Sequence, residues 1–499
     1  MQVAGCGLQV DVAVIGGGPA GSAAARLLAF WGHAVVLVDR PGSDAGRIAE
    51  SIPPSANKVL RAIGAIDDIQ SAGFLPWRGN TVWWAGEPAR IETFPDDTPG
   101  YQVLRSDFDR RLRDLAIRTS GVVFVPNGKL EFPLSKGNPE FPVLHENDSR
   151  GPIVIDASGR SGVLAREHGL RVMDPDRRTV ALAGTWRNDR AWPIEDETHT
   201  LVASYDGGWA WSVPVDREVR QFTVMVDPSR SELTRGAPSR EVYLAEVAKV
   251  RPFTKILERA QLADAPWGAD ASEYTARQYA GPGFLLAGDA GSAINPLSSF
   301  GVKKALASGW LAAIAAHTAL VNPSMADEAF AFFDRRERAV AAAATRQASR
   351  FANDAARTGQ PFWIARAGST SSSIDDSEPD AVELGRDPAV LQAFADLRAR
   401  PSLILAAGPL LRIEPRAAVH GREIVMEDQL ISPSWPDGLR YLRGVDLVSL
   451  VRLAPEHRDV GELFAASQSV TPDIQLPDFL GALSLLISAG TLRFSSHEE

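Results

Sequence analysis

The sequence predicts an α/β protein in three parts: a parallel nucleotide-binding sheet with crossover helices, an antiparallel sheet inserted into it, and a small C-terminal domain. Three observations carry this. A strand, a glycine turn, a helix and a second strand follow one another from Val10 to Arg40. Tracts of alternating residues rich in tryptophan and β-formers then interrupt the α/β pattern. From Gly421 onward the apolar residues fall at helical spacing and end in a short strand, Leu492-Arg493-Phe494. The expected divisions are 1–365 for the nucleotide fold with its insert at about 70–105 and 175–280, 366–420 for linker and helices, and 421–499 for the last domain.

The first element is the most specific. Asp11-Val12-Ala13-Val14-Ile15 leads into Gly16-Gly17-Gly18-Pro19-Ala20-Gly21, a helix to Gly32, and a strand ending in Asp39-Arg40. Gly16 permits the tight turn, Gly18 lets a diphosphate approach the backbone, and Gly21 lets helix and strand pack closely. The diphosphate can then sit on the helix N-terminus, beside Ala20 and Gly21. Asp39, with Arg40 beside it, stands where a carboxylate accepts a ribose hydroxyl. This is a Rossmann-type site for an adenine dinucleotide.

After a polar loop from Gly46 to Pro54, Ser55 caps a helix over Ala56–Ile63 that closes at Gly64. The tract from Phe74 to Ile91, with Trp77, Trp83 and Trp84, reads as sheet. Leu104-Arg105 precedes a helix that Ser106 or Asp107 can cap. Ile153-Val154-Ile155-Asp156-Ala157-Ser158-Gly159 is a buried strand ending in a carboxylate and small residues, a second place for backbone to approach a cofactor. Thr198–Ala203, Gly208–Pro214 and Gln221–Val226 alternate as half-buried strands, with Trp209 and Trp211 in the second. Helices are expected at about Ser239–Lys249 and Pro252–Arg259. An apolar strand then ends in Gly288-Asp289, followed by Pro296, Gly301 and a helix from Val302, so a carboxylate and a helix N-terminus face a polar group. Ala326–Ala356 is a long helix, and Gly368–Glu378 a serine-rich loop.

Over 499 residues the net charge is -10, which gives no electrostatic drive toward nucleic acid or anionic membrane. The single cysteine, Cys6, excludes an internal disulfide. The best apolar run, Trp310–Leu320, is short for a spanning helix, so neither partner is expected and the location expected is cytoplasmic.

The glycine turn with Asp39, Leu104-Arg105 before a helix, Asp156-Ala157-Ser158-Gly159 and Gly288-Asp289 resemble, in order and spacing, the flavoprotein monooxygenase superfamily. That resemblance implies FAD, with Asp39 on the adenosine ribose, Arg105 along the dinucleotide, Asp156 supporting the pyrophosphate region and Asp289 facing the ribityl chain. Trp209-Ala210-Trp211-Ser212-Val213-Pro214 resembles the WxWxIP pattern of the flavin-dependent tryptophan halogenase branch. Halogenases carry an essential lysine early in the sheet tract, whereas Phe74–Gly86 here offers Arg78 and no lysine. Arginine stays charged where lysine can handle hypohalous acid through its ammonium or neutral amine. Glu50–Ser55 and Asn295–Val302 are similar to a sister group that modifies a protein tryptophan during tryptophylquinone biogenesis.

The implied activity is FAD-dependent hydroxylation of an aromatic side chain, tryptophan above all, on a peptide or protein. Trp209 and Trp211 would wall the cavity, and backbone amides from Ser299 to Gly301 would stabilise developing charge. Electrons would come from NAD(P)H or a separate flavin reductase. The rivals are halogenation of an indole or pyrrole on the same scaffold, an isoprenoid-chain reductase, and a flavin-bearing docking module without turnover. The C-terminal domain resembles a winged helix. Leu411–Glu499 holds eight arginines and no lysine against thirteen acids, which supports a protein or peptide partner over DNA. The strand at Leu492–Phe494 would offer that partner an edge.

Overall fold

The computed structural model describes residues 10–40, 47–94, 98–128, 152–174, 178–231, 233, 240–367, 387–400, 402 and 404–495. Cys6, the Gly368–Glu378 loop, and the loop and helix starts at Gly46 and Ser239 lie outside them. The chain divides into two units, Met1–Thr370 and Ser371–Glu499.

The first unit is organised by a six-stranded sheet in the order Ala280–Gly281, Phe284–Leu286, Ile153–Asp156, Val12–Ile15, Val35–Asp39, Val122–Pro126. All neighbours are parallel except the first pair. Val12, Val14, Val35, Leu37, Ile155 and Leu285 are unexposed. Strands covered on both faces read as continuous apolar runs, which is why alternation is missing there. The helices Pro19–Phe30 and Gly301–Val321 pack with backbones nearly touching, since a Cβ on Gly309 would stand 2.2 Å from the Ala20 carbonyl oxygen. At 21 residues the second of these is longer than the apolar run expected. It could cross a membrane by length and composition, but 72% of its most apolar 18-residue stretch is buried within the unit, as in a core helix.

The inserted sheet has eight strands, with Gly208–Pro214 between Thr200–Tyr205 and Val219–Val226. Thr200–Tyr205 pairs in parallel with Gly79–Trp83, which joins the two pieces of the insert. Val219–Val226 is buried along its whole length rather than half-buried. Phe222 and Val224 face Tyr243 and Phe253 of the helices Arg240–Ala248 and Arg251–Leu257. Met225 faces Ala352, Ala355, Phe362 and Trp363 on the other side. A separate three-stranded sheet of Ala49–Ile52, Gly100–Leu104 and Leu75–Trp77 joins the stretch after Arg47 to the approach to Arg105.

In the second unit, the helices Leu447–Leu453, Val460–Val470 and Leu476–Ser488 enclose a core of Leu447, Leu463, Phe479 and Leu483. The Asp459 side chain accepts from the amides of Gly461 and Glu462, the expected cap. Leu492–Phe494 is a strand as expected, but one edge is taken by Leu405–Ala407. A hairpin pairs Arg412–His420 with Glu423–Ser432. The division at 421 therefore needs correction: Gly421, at φ 63°, is the hairpin's turn and not a domain start. A glycine in a left-handed turn marks a chain reversal equally well inside a domain.

Candidate functional site

The glycine turn closes on itself. Gly16 has φ 104°, and a Cβ there would stand 2.3 Å from the Ala157 carbonyl oxygen. A Cβ on Gly21 would lie 1.8 Å from the Gly16 oxygen, so neither position admits a side chain. On Gly18 a Cβ meets no atom within 4 Å and would project into the space before the helix. Gly18 is the helix N-cap, with no side-chain cap and no acidic residue in the first turn, so the amides and dipole there are left for an anion. Asp39 bears on the same turn, because its Oδ2 is 2.7 Å from a Cβ on Gly17. It accepts from Arg113 Nη1 at 3.1 Å, while Arg40 is exposed past the strand end. These residues fit a dinucleotide, and filling the Gly18 position would block it.

Arg105 is committed to carboxylates: Nε and Nη2 donate to Asp109 at 2.9 and 2.8 Å, and Nη1 to Glu50 at 3.0 Å. Burial lowers its affinity for the proton, but Asp109 and Glu50 more than reverse that and hold it above its ordinary value. Burial pushes the Glu50 carboxyl up against the pull of Arg105. Glu50 Oε1 lies 3.4 Å from where a Gly301 Cβ would be, so Arg105 fixes a carboxylate at the start of the Gly301–Val321 helix. Asp156, expected to support the pyrophosphate region, lies inside the protein behind the glycine turn. It is unexposed, and its carboxylate accepts from the amides of Ser158 at 3.0 Å and Leu164 at 2.8 Å. It braces the turn that presses Ala157 onto Gly16.

Gly288 has φ 62° and donates its amide to Ser308 Oγ at 2.8 Å. The Asp289 carbonyl accepts from Tyr274 Oη at 2.6 Å, leaving the partly exposed carboxylate 3.7 Å from Lys304 Nζ. Pro296 opens a 3₁₀ turn capped by Asn295, whose Nδ2 donates to Glu273 at 2.8 Å. Ser299, at φ 50°, donates its amide to the Pro296 carbonyl at 3.0 Å. That corrects the role expected of it: a committed amide is no donor to developing charge, and the helix-start amides at Gly301 and beyond remain.

Trp209 and Trp211 sit two residues apart on one face of their strand and stack at 4.9 Å and 27°. Trp209, with Glu273, Asn295, Leu297, Phe362 and Trp363, lines a cavity. Trp363 Nε1 is fixed to the Tyr205 carbonyl at 3.0 Å and packs edge-on against Trp84. In Leu75–Trp77 the buried residue is Trp77, its Nε1 held by the Gly79 carbonyl at 2.7 Å, while Arg78 is exposed. Arg78 lies between the strands Leu75–Trp77 and Gly79–Trp83 with its side chain in solvent. Lys304, Glu50, Arg113 and Glu273 were missed in the sequence. The signal for Lys304 was a lysine early in an alanine-rich apolar helix.

A family model described as FAD binding domain matches residues 9–309. The chain is 29% identical over 336 residues to the tryptophan 2-halogenase of Chondromyces crocatus, a match covering 65% of this chain and 64% of that protein, just under two thirds of its length. Its fold is similar to the crystal structure of the flavin-dependent halogenase CmlS, with TM-score 0.73, 22% identity, and 98% and 96% of the two chains covered. It is also similar to the peptidyl tryptophan dihydroxylase QhpG, described as essential for tryptophylquinone cofactor biogenesis, with TM-score 0.64, 21% identity and 97% and 100% covered.

Proposed function

The chain belongs to the FAD binding domain family, and from that premise we propose that this flavin-dependent oxidoreductase hydroxylates an aromatic side chain, most suitably tryptophan, on a peptide or protein. The carrying observation is the sheet tract Phe74–Gly86: it has no lysine, and its inward residue at the end of Leu75–Trp77 is an indole. Bound FAD supplies the two-electron activation of molecular oxygen, with one oxygen atom going to the ring and the other leaving as water.

The chain's own residues supply position and dryness. Gly16, Gly18, Ala20, Gly21 and Asp39 would hold the dinucleotide, with Asp289 and the helix start at Gly301 along its remainder. Trp209, Phe362 and Trp363 would face the substrate ring and exclude water. Glu273, held by Asn295 Nδ2, is the carboxylate lining that cavity, and it would take part in handling the proton released from the ring. The second unit would recognise the polypeptide bearing the target, by strand addition to the outer edge of the Leu405–Ala407 and Leu492–Phe494 pair. Electrons would arrive from NAD(P)H or a partner flavin reductase.

The test supplies reduced flavin, oxygen and bromide with a tryptophan-bearing polypeptide encoded nearby. Mass spectrometry should show gain of oxygen. A bromine isotope pair in the product would instead establish halogenation, the second reading, which the names of the halogenase relatives favour. FAD that is neither reduced nor oxidised by oxygen would leave the docking reading.

A further inference from the structure

The turn that carries Asp289 is held from beneath by a buried charge. Lys304 Nζ donates to the Gly288 carbonyl at 3.0 Å and to that of Ser292, and so ties both ends of the turn together. Its side chain is 4% exposed and lies 3.7 Å from Asp289 Oδ1. One helical turn on, Ser308 Oγ accepts the Gly288 amide at 2.8 Å, so two residues of one helix grip the same turn. Glu337, itself buried on the Ala326–Ala356 helix, is the carboxylate whose field reaches Lys304. Burying an ammonium carries a large desolvation cost, and an apolar side chain would fill the same space in this alanine-rich helix without it.

What the turn touches explains why the charge is kept. A Cβ on Gly288 would lie 3.2 Å from Ala20 Cβ. The turn therefore packs on the start of the glycine-turn helix, at the carboxyl ends of the parallel strands where dinucleotides bind. We propose that Lys304 is a positioning residue for the cofactor: its ammonium locks Gly288–Ser292 in the shape that binds FAD, and its charge favours the electron-rich reduced form. Asp289, 3.7 Å away, supplies the nearest opposing charge, and Glu337 is the buried carboxylate that Lys304 helps to keep ionised. The inference rests on FAD binding and is independent of which substrate is oxidised.

The test titrates apoprotein of Lys304→Met with FAD by flavin fluorescence and measures the midpoint potential of the bound flavin. The dissociation constant should rise roughly tenfold, matching a charged hydrogen bond of about 1.5 kcal/mol, and the potential should move negative. A carboxylate stranded in the core can unfold the single variant, so Lys304→Met with Glu337→Leu carries the same test, since removing both partners together is often tolerated. The double variant should melt near the parent yet bind FAD weakly at the lowered potential. A double variant with parental affinity and potential would reduce Lys304 to packing and overturn the proposal. Neither readout uses substrate, so failure of the hydroxylation reading and failure of this one are separately visible.

Discussion

At Asp39 the carboxylate already has a partner in Arg113, and the pair is about one fifth exposed (23% and 18%). Asp39→Ala should therefore cost the fold little, within about 1 kcal/mol as for other accessible pairs. Loss of charged hydrogen bonds to a ribose should weaken FAD by roughly tenfold or more, read by fluorescence titration against an unchanged apoprotein melt. Asp227 is a different case. Burial acts against its charge, but the Ser229 hydroxyl and amide and the Arg366 guanidinium outweigh it and hold the carboxyl below its ordinary value. A depressed carboxyl contributes stability that is present above the unfolded value near 3.8 and lost as pH falls through the folded one. Asp227→Asn should thus lower the melting temperature at neutral pH and converge with the parent in acid. Parallel curves at all pH values would show that the charge is idle. Gly16, Gly18, Gly21 and Asp39 were legible because backbone sterics fix their spacing. Glu50, Lys304 and Glu273 were not, because each acquires its neighbours from distant stretches only on folding.

Helix and strand positions followed the sequence where one physical signal dominated. Gly208–Pro214 and Ala326–Ala356 appear with the expected bounds, the first from alternation and the second from length and composition. The Arg412–His420 strand was hidden by Pro415 and by charged residues on an exposed hairpin, where no buried face enforces alternation. The contact of the Pro19–Phe30 and Gly301–Val321 helices was equally invisible, since it depends on a missing side chain. Gly309→Ala should push these helices apart, destabilise the first unit by about 1–3 kcal/mol and lower FAD occupancy, because Ala20 begins the diphosphate bed. Asp459→Ala removes a helix cap and should cost about 1 kcal/mol in the second unit, with the flavin spectrum unchanged. Thermal melts followed at the flavin band and by circular dichroism would separate the two effects.

At the level of the whole chain, the strand pairings decide where a truncation can be made. Ending at His420 would leave Arg412–His420 without its hairpin partner and Leu405–Ala407 without Leu492–Phe494, exposing unpaired edges that promote aggregation. Ending at Thr370 follows the boundary between units. The shorter protein should retain FAD and oxygen consumption while turnover of a polypeptide substrate collapses and that of free indoles persists. Equal turnover of the polypeptide by both forms would assign the second unit a capping role. The tryptophans make such experiments readable. Of 12 in the chain, Trp435 is the one in the second unit, and Trp209 and Trp211 are stacked within the first. Flavins absorb where indoles emit, so light from the first unit would be drained by a nearby cofactor. Trp435→Phe would leave emission from the first unit alone, and its dimming on addition of flavin would read cofactor loading directly.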